Sequence, residues 1–401
     1  MTKKATLSKI LSVSSEDDNL KDLFQYNKYS KDIEFKQMPI WGDDEKVLTD
    51  AHIVQMKLYM DTTHFMDLHD KTIEDVCFLL ASKKSYHPIK DYLGNLRWDG
   101  IKRCDSWLVE ICNTEDNCYI RNVSKYVLIA AVNRIFNPGV QFDHMLILEG
   151  AQGGGKSTML NILGGEWYLD TQLSTSENKK DLIDVMRTGW IIEIADLAGF
   201  RKHEVDFLRS FITRKIDRVR LAYGRRAENF RRQCVFIGTH NPSGDNQYFK
   251  DDTGNRRFWP VQCNGMINNE KMRSWRDQLW AEAVVMYKNK EQYYLTDKES
   301  LDILDELHKE REIDIPIYEK IGVHLKNVVA QGKTEVTIEE ILTNVFKISE
   351  IGKLSYSEQR SKVTMIGIYM RKAKWRKGNN QNSNTYYWDD YSIKQKDNWD
   401  E

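Results

Sequence analysis

The chain has 401 residues, enough for two or three domains with at least one sizeable core. Its 41% hydrophobic and 30% charged residues exclude a disordered chain. A net charge of -1 excludes a global field that would draw the protein to DNA or membranes, so any nucleic-acid contact must come from local clusters.

Residues 1–20 are polar and mixed in charge, with no signal-peptide core, and no apolar run approaches a membrane span. A cytoplasmic protein without membrane partners is expected. Residues 1–85 read as a polar, helical N-terminal region, with helices over 49–60 and 72–80. From Tyr86 aromatic and glycine residues punctuate short apolar runs, the texture of an α/β domain placed at 86–300. Within it an apolar strand over 145–149 runs into Gly150, and a helix over 157–163 stops at Gly164-Gly165. Further strands are expected over 190–197 and 234–239, the latter ended by Asn241-Pro242. Between them, 204–213 puts Val205, Leu208 and Ile212 on one helical face. Runs this short suit parallel strands covered by helices on both faces.

Residues 301–331 read as a helical connector and 332–401 as a small last domain. There an amphipathic helix over 337–346, a second over 357–374, and a hairpin of 375–377 and 385–388 around Gly-Asn-Asn are winged-helix-like. A helix followed by a basic hairpin can enter a groove, which makes Lys362, Arg371, Lys372 and Lys374 candidates for duplex DNA. The competing reading is a packing or docking domain. Six scattered cysteines without a C-x-x-C pair read as reduced thiols, and His64 and His69 lack the acidic partner of a metal site.

Gly150-Ala-Gln-Gly-Gly-Gly-Lys156-Ser157 fills every fixed position of the phosphate-binding loop G-x-x-x-x-G-K-[ST]. Glycines let the backbone approach phosphate, and the following helix start adds a positive dipole. The expected ATP contacts are Gly150, Gln152, Gly153, Gly154, Gly155, Lys156, Ser157 and Thr158, with Lys156 at the β and γ phosphates and Ser157 on magnesium. Hydrolysis also needs an acid near the metal and a polar group for water. Glu193 and Asp196 lie on one apolar strand, where charge is costly unless it serves an ion. Glu193 could instead sit on a solvated strand edge, whereas Asp196 at the carboxyl end is the stronger candidate. Asn241 could polarise the attacking water.

Residues 201–232 carry eleven lysines and arginines, among them Lys215, Arg218 and Arg220, which suggests phosphate contacts with nucleic acid or nucleotide. Arg256 and Arg257 precede an apolar strand and could reach a γ-phosphate.

On these residues the chain resembles the virulence-associated protein E family, ATPases of phages and pathogenicity islands related to superfamily III and poxvirus-type primase–helicases. The shared pattern comprises Tyr92-Leu-Gly-Asn-Leu-Arg-Trp98-Asp99-Gly100, Pro138-Gly-Val-Gln-Phe-Asp143, the loop, Glu193-Ile-Ala-Asp196-Leu, Asp217-Arg-Val-Arg220, Thr239-His-Asn241 and Gly254-Asn-Arg-Arg-Phe-Trp-Pro260, spanning about residues 86 to 290. The resemblance implies an AAA+-like P-loop core, a homo-oligomeric ring of hexamer type, and translocation on single-stranded DNA at an origin or fork in a bacterial host, beside host or phage replication proteins. It gives Asn241 a sensor role, makes Arg220 or Arg257 an arginine finger, and puts Lys215 and Arg218 on a pore-lining hairpin. Asp196 stands where the family usually has Glu, His240 where Thr is usual, and no primase module precedes the ATPase segment, so primer synthesis is not expected.

The leading expectation is an ATP- and magnesium-dependent DNA helicase. The alternative is an ATP-switched DNA-binding or regulatory protein that assembles without unwinding. A small-molecule kinase has no use for a terminal winged helix.

Overall fold

The computed structural model describes residues 6–42, 44–171, 183, 186–195, 202–219, 227–241, 255–311, 316–348, 362–363, 366–367, 369–371, 373–378 and 385–388. It divides into two compact units, Met1–Glu312 and Ile313–Glu401.

The first unit opens with α1 (Leu7–Glu16), β1 (Phe24–Asn27), β2 (Ile33–Phe35), α2 (Asp50–His64), α3 (Asp70–Ser82) and β3 (Ser85–Tyr86). β1 pairs antiparallel with β2 and parallel with β3. Ile10, Phe24, Phe35, Met56 and Val76 share a core of their own. α2 and α3 fall where helices are expected, whereas α1 and the sheet do not appear in the sequence reading. β1 and β2 are only four and three residues long and include Gln25, Asn27 and Glu34, too short and too polar to register as strands. The turn between them is tied by the Asn27 Oδ1, which accepts from the amides of Tyr29 and Ser30 at 2.8 and 3.3 Å.

The chain continues through α4 (Pro88–Asn95), α5 (Trp107–Cys112), α6 (Cys118–Phe136), β4 (Met145–Glu149), α7 (Lys156–Gly164), β5 (Tyr168–Thr171), β6 (Ile191–Ile194), α8 (Lys202–Ile212), β7 (Ile216–Val219), β8 (Glu228–Arg231), β9 (Val235–His240), β10 (Phe258–Gln262), α9 (Asn269–Lys288) and α10 (Lys298–Glu310). Five strands form one parallel sheet in the order β10-β4-β9-β6-β5. β4, β6 and β9 are buried along their whole length, which explains their continuous apolar runs. Successive side chains alternate between two cores. Leu146, Leu148, Ile191, Val235 and Ile237 pack with Val127 of α6, Met159 of α7 and Trp280 of α9. Met145, Ile147, Ile192, Ile194 and Phe236 pack with Leu208 and Phe211 of α8. β7 and β8 form a separate antiparallel hairpin.

The second unit contains α11 (Pro316–Ala330), β11 (Glu335–Thr337), α12 (Ile338–Asn344), β12 (Arg376–Lys377) and β13 (Thr385–Tyr387). α12 starts on a capping box in which Thr337 Oγ1 accepts from the Glu340 amide while Glu340 Oε2 accepts from the Thr337 amide. β12 and β13 pair as an antiparallel hairpin, and β11 joins on the other side of β13. Ile321, Leu325 and Val328 of α11 enter the same core as Ile341, Met370 and Trp375. The stretch 301–331 is therefore divided: Leu304 of α10 belongs to the core of the first unit, and α11 belongs to the second.

All six cysteines are free. Among the described residues no helix is long and apolar enough to cross a membrane.

Candidate nucleotide-binding site

The glycine-rich loop joins β4 to α7 at the carboxyl edge of the parallel sheet. Two glycines are required by space as much as by backbone freedom. A Cβ on Gly150 would sit 3.0 Å from the Cys263 carbonyl, and one on Gly155, at φ +93°, would sit 2.7 Å from the Asn269 Nδ2. The loop is braced from outside: the amides of Ile267, Cys263 and Gly150 donate to the carbonyls of Gly154, Glu149 and His240. Gln152, Gly153, Ser157 and Thr158 are exposed, while Gly154 is buried.

Lys156 begins α7 and is only 6% exposed. Its Nζ donates to the carbonyls of Gly150 at 2.7 Å and Ala151 at 2.9 Å, and to Asn241 Oδ1 at 2.8 Å. All three acceptors are neutral, and burial holds this ammonium below the ordinary lysine pKa. A buried cation on neutral oxygens, beside a helix start and a glycine-rich loop, fits an anionic phosphate.

Facing it is a buried carboxylate. Glu193 is fully buried in β6, not on a solvated strand edge, because β9 and β5 flank it on either side. The period of two puts it on the same sheet face as Ile191, toward α7. Three hydroxyls donate to it: Ser157 to Oε1 at 2.8 Å, Thr239 to Oε1 at 2.7 Å, and Tyr168 to Oε2 at 2.5 Å. Burial first and then the Glu193 charge push the Asp170 carboxyl up, while burial, then the hydrogen bond to Glu193 and then its charge raise the Tyr168 phenol. A carboxylate held among hydroxyls, with the loop serine in contact, fits a divalent cation beside the phosphates.

The structure thus brings together Gly150, Gly155, Lys156, Ser157, Glu193 and Asn241. Asp196, Arg220 and Lys372 lie outside the described residues. Arg256 and Arg257 end the turn Asn255–Arg257 before β10, and Phe258 pairs with Met145, the first residue of β4. They stand at the amino edge of the sheet, a strand length of roughly 17 Å from their own chain's loop. They are not brought to that loop, because a parallel sheet puts strand starts and strand ends on opposite edges. Lys215 and Arg218 are exposed on the β7 side of the hairpin, with Asp217 between them turned inward onto Arg232 at 2.6 Å. In the second unit Arg371 and Lys374 are exposed, and Lys362 lies 5.2 Å from the Phe346 ring.

Sequence reasoning missed Thr239 and Tyr168 as donors to Glu193. Thr239 lay in a motif read only for its asparagine, and Tyr168 carries no local signal. It also missed Glu149, the fully buried last residue of β4, which takes both arms of Arg311 at 2.6 Å each.

The profile of the virulence-associated protein E-like domain matches residues 93–313. No curated protein matches the chain. Among solved structures, the A form apo structure of the NrS-1 C-terminal region is 10% identical, covers 96% of this chain and 99% of that one, and has a TM-score of 0.50. A second apo structure of the same region is 10% identical with a TM-score of 0.50, covering 97% and 100%. At this identity the likeness is one of fold.

Proposed function

We propose, from the premise that this chain belongs to the virulence-associated protein E-like family, that it is an ATP- and magnesium-dependent DNA helicase of replication, built on an AAA+-like core and working as a ring on single-stranded DNA. The observation that carries the reading is the meeting of Lys156 with Glu193 through β9. A cation for phosphate and a carboxylate for a metal converge on one loop, in a family of phages and pathogenicity islands by the resemblance above.

In this reading the loop amides and Lys156 hold the β and γ phosphates of ATP, and Ser157 with Glu193 holds the metal. Magnesium, when bound, neutralises charge between the two phosphates. Asn241 already touches the Lys156 ammonium, so its amide stands where it can orient a water against the γ-phosphate. Arg256 and Arg257, on the opposite sheet edge, suit a neighbour's site better than their own, which supports a finger acting between subunits. Lys215 and Arg218 would track a strand's backbone without reading bases.

The test is strand displacement coupled to hydrolysis. With ATP and magnesium the protein is expected to displace one strand of a forked duplex. Glu193→Gln keeps the shape and one acceptor oxygen for the Ser157 and Thr239 hydroxyls but removes the charge and the acceptor of Tyr168, so it is expected to lower turnover about a hundredfold while changing nucleotide affinity only a few-fold. Hydrolysis without displacement would instead favour an ATP-switched DNA-binding protein.

The second unit, read as a winged helix gripping duplex through Lys362, Arg371, Lys372 and Lys374, has its own test. Its natural cut is after Glu312, because a cut near residue 330 would strip α11 of its core. The fragment Met1–Glu312 is expected to keep hydrolysis stimulated by single-stranded DNA and to lose duplex binding, measured by anisotropy. Equal duplex affinity for fragment and full chain would make the unit a docking domain.

A further inference from the structure

A second basic cavity, of about 360 Å³, lies in the first unit and shares no residue with the loop site. Five stretches of chain meet there: the turn between β1 and β2, the start of α4, Pro138 after α6, the residues Ile183, Met186 and Arg187 before β6, and the base of the β7–β8 hairpin with the residues leading into β9. Its floor is apolar, from Tyr29, Ile183, Met186 and Phe230. Its rim is cationic. Some of that charge is spent on structure: Lys31 pairs with Glu228 at 2.8 Å and lies 4.0 Å over the Phe230 ring, Arg187 pairs with Asp32 at 2.7 Å, and Arg232 pairs with Asp217. Lys28, Lys90 and Arg231 also line the cavity, and among the described residues they form no ion pair.

The entry of α4 adds to this. Its N-cap is His87, whose Nδ1 accepts from the Lys90 amide while its Nε2 faces Gln233 Oε1 at 2.9 Å. The helix start therefore brings His87 and the Lys90 side chain to the cavity, while its own first-turn amides are capped: Pro88 has none, and those of Lys90 and Asp91 are bound by His87. Asn229 and Gln233 complete the lining with amide groups able to read the edge of a heterocycle.

We propose that this cavity is a second phosphate site, taking a nucleoside phosphate with the base on the apolar floor and the phosphate on the side chains of Lys28, Lys90 and Arg231. The volume is in the range of small-ligand pockets and suits one nucleotide. The same chemistry could be presented by a free nucleotide or by one nucleotide of a DNA strand. The proposal does not depend on the loop site hydrolysing ATP. Because the turn and the hairpin both line the cavity, an occupant would tie the N-terminal sheet to the hairpin.

Calorimetry on the full chain tests it, with Lys156→Ala removing the loop's contribution. The probes are inorganic pyrophosphate, adenosine monophosphate and an eight-residue oligothymidylate. The expected result is one site per chain, with Lys28→Glu and Lys90→Glu each weakening it about tenfold or more while the melting temperature holds. Binding of the monophosphate and pyrophosphate, without displacement by the oligonucleotide, identifies a free nucleotide as occupant. Oligonucleotide binding that pyrophosphate displaces identifies a strand. No binding of any probe at millimolar concentration, or binding that both charge reversals leave unchanged, overturns the proposal. If the loop reading alone were wrong, Lys156→Ala would leave nucleotide binding intact and these charge reversals would still weaken it.

Discussion

Lys156→Ala is expected to abolish ATP hydrolysis, lowering turnover by at least about a hundredfold, roughly 3 kcal/mol of lost transition-state stabilisation, and to weaken nucleotide binding sharply. The reason is local. Lys156 supplies the only side-chain cation within the loop, and its three hydrogen bonds aim it back over that loop through Gly150, Ala151 and Asn241. The fold should survive, because the three acceptors of the ammonium are neutral and the buried Glu193 keeps its hydroxyl donors from Ser157, Thr239 and Tyr168. Steady-state turnover, nucleotide titration and a thermal melt together decide the matter. Near-normal turnover in a well-folded variant would move the catalytic site elsewhere.

Arg311→Ala should act on stability instead. Glu149 is fully buried and Arg311 nearly so, and the two are joined by a bidentate pair closing across 162 residues of chain. Deleting the guanidinium leaves a carboxylate stranded in the core at the root of the glycine-rich loop. The expected cost is about 3–5 kcal/mol, read as a lower denaturant midpoint. Glu149→Leu combined with Arg311→Met should recover much of that loss, since apolar side chains of similar volume need no counter-charge. If the single and double variants were equally unstable, packing of Arg311 rather than its charge would be the cause. If neither lost stability, the pair would be dispensable.

What could be read from the chain was whatever is encoded by neighbours in sequence. The loop from Gly150 to Ser157, the strand before it and the helix after it are one contiguous signal, and β4 and α7 fall there within a residue. Glu193 was visible as an acid in an apolar strand, but its burial was not. That depends on β9 and β5 flanking β6, an order fixed by packing over long separations. Tyr168 and Thr239 reach it from two other strands for the same reason. Arg256 and Arg257 looked well placed for a phosphate because nothing local tells which edge of the sheet a strand begins on. Arg311 ends a charged, solvent-like helix in the sequence, and its partner lies far upstream. The N-terminal sheet escaped because its strands are shorter than any period can reveal.

The position of β9 between β4 and β6 has a mechanical meaning. Asn241, just past its end, holds Lys156, and Thr239 within it holds Glu193. The two anchors are two residues apart on one extended backbone, a separation of roughly 7 Å that the pleat does not let stretch. The spacing between the Lys156 ammonium and the Glu193 carboxylate is therefore gauged by a rigid strand, although one of the two is borne at the end of a glycine loop. A strand used as a gauge also acts as a lever. Displacing β9 along its axis would shift both anchors together, and inserting one residue would turn Thr239 to the opposite face and leave Glu193 without that donor.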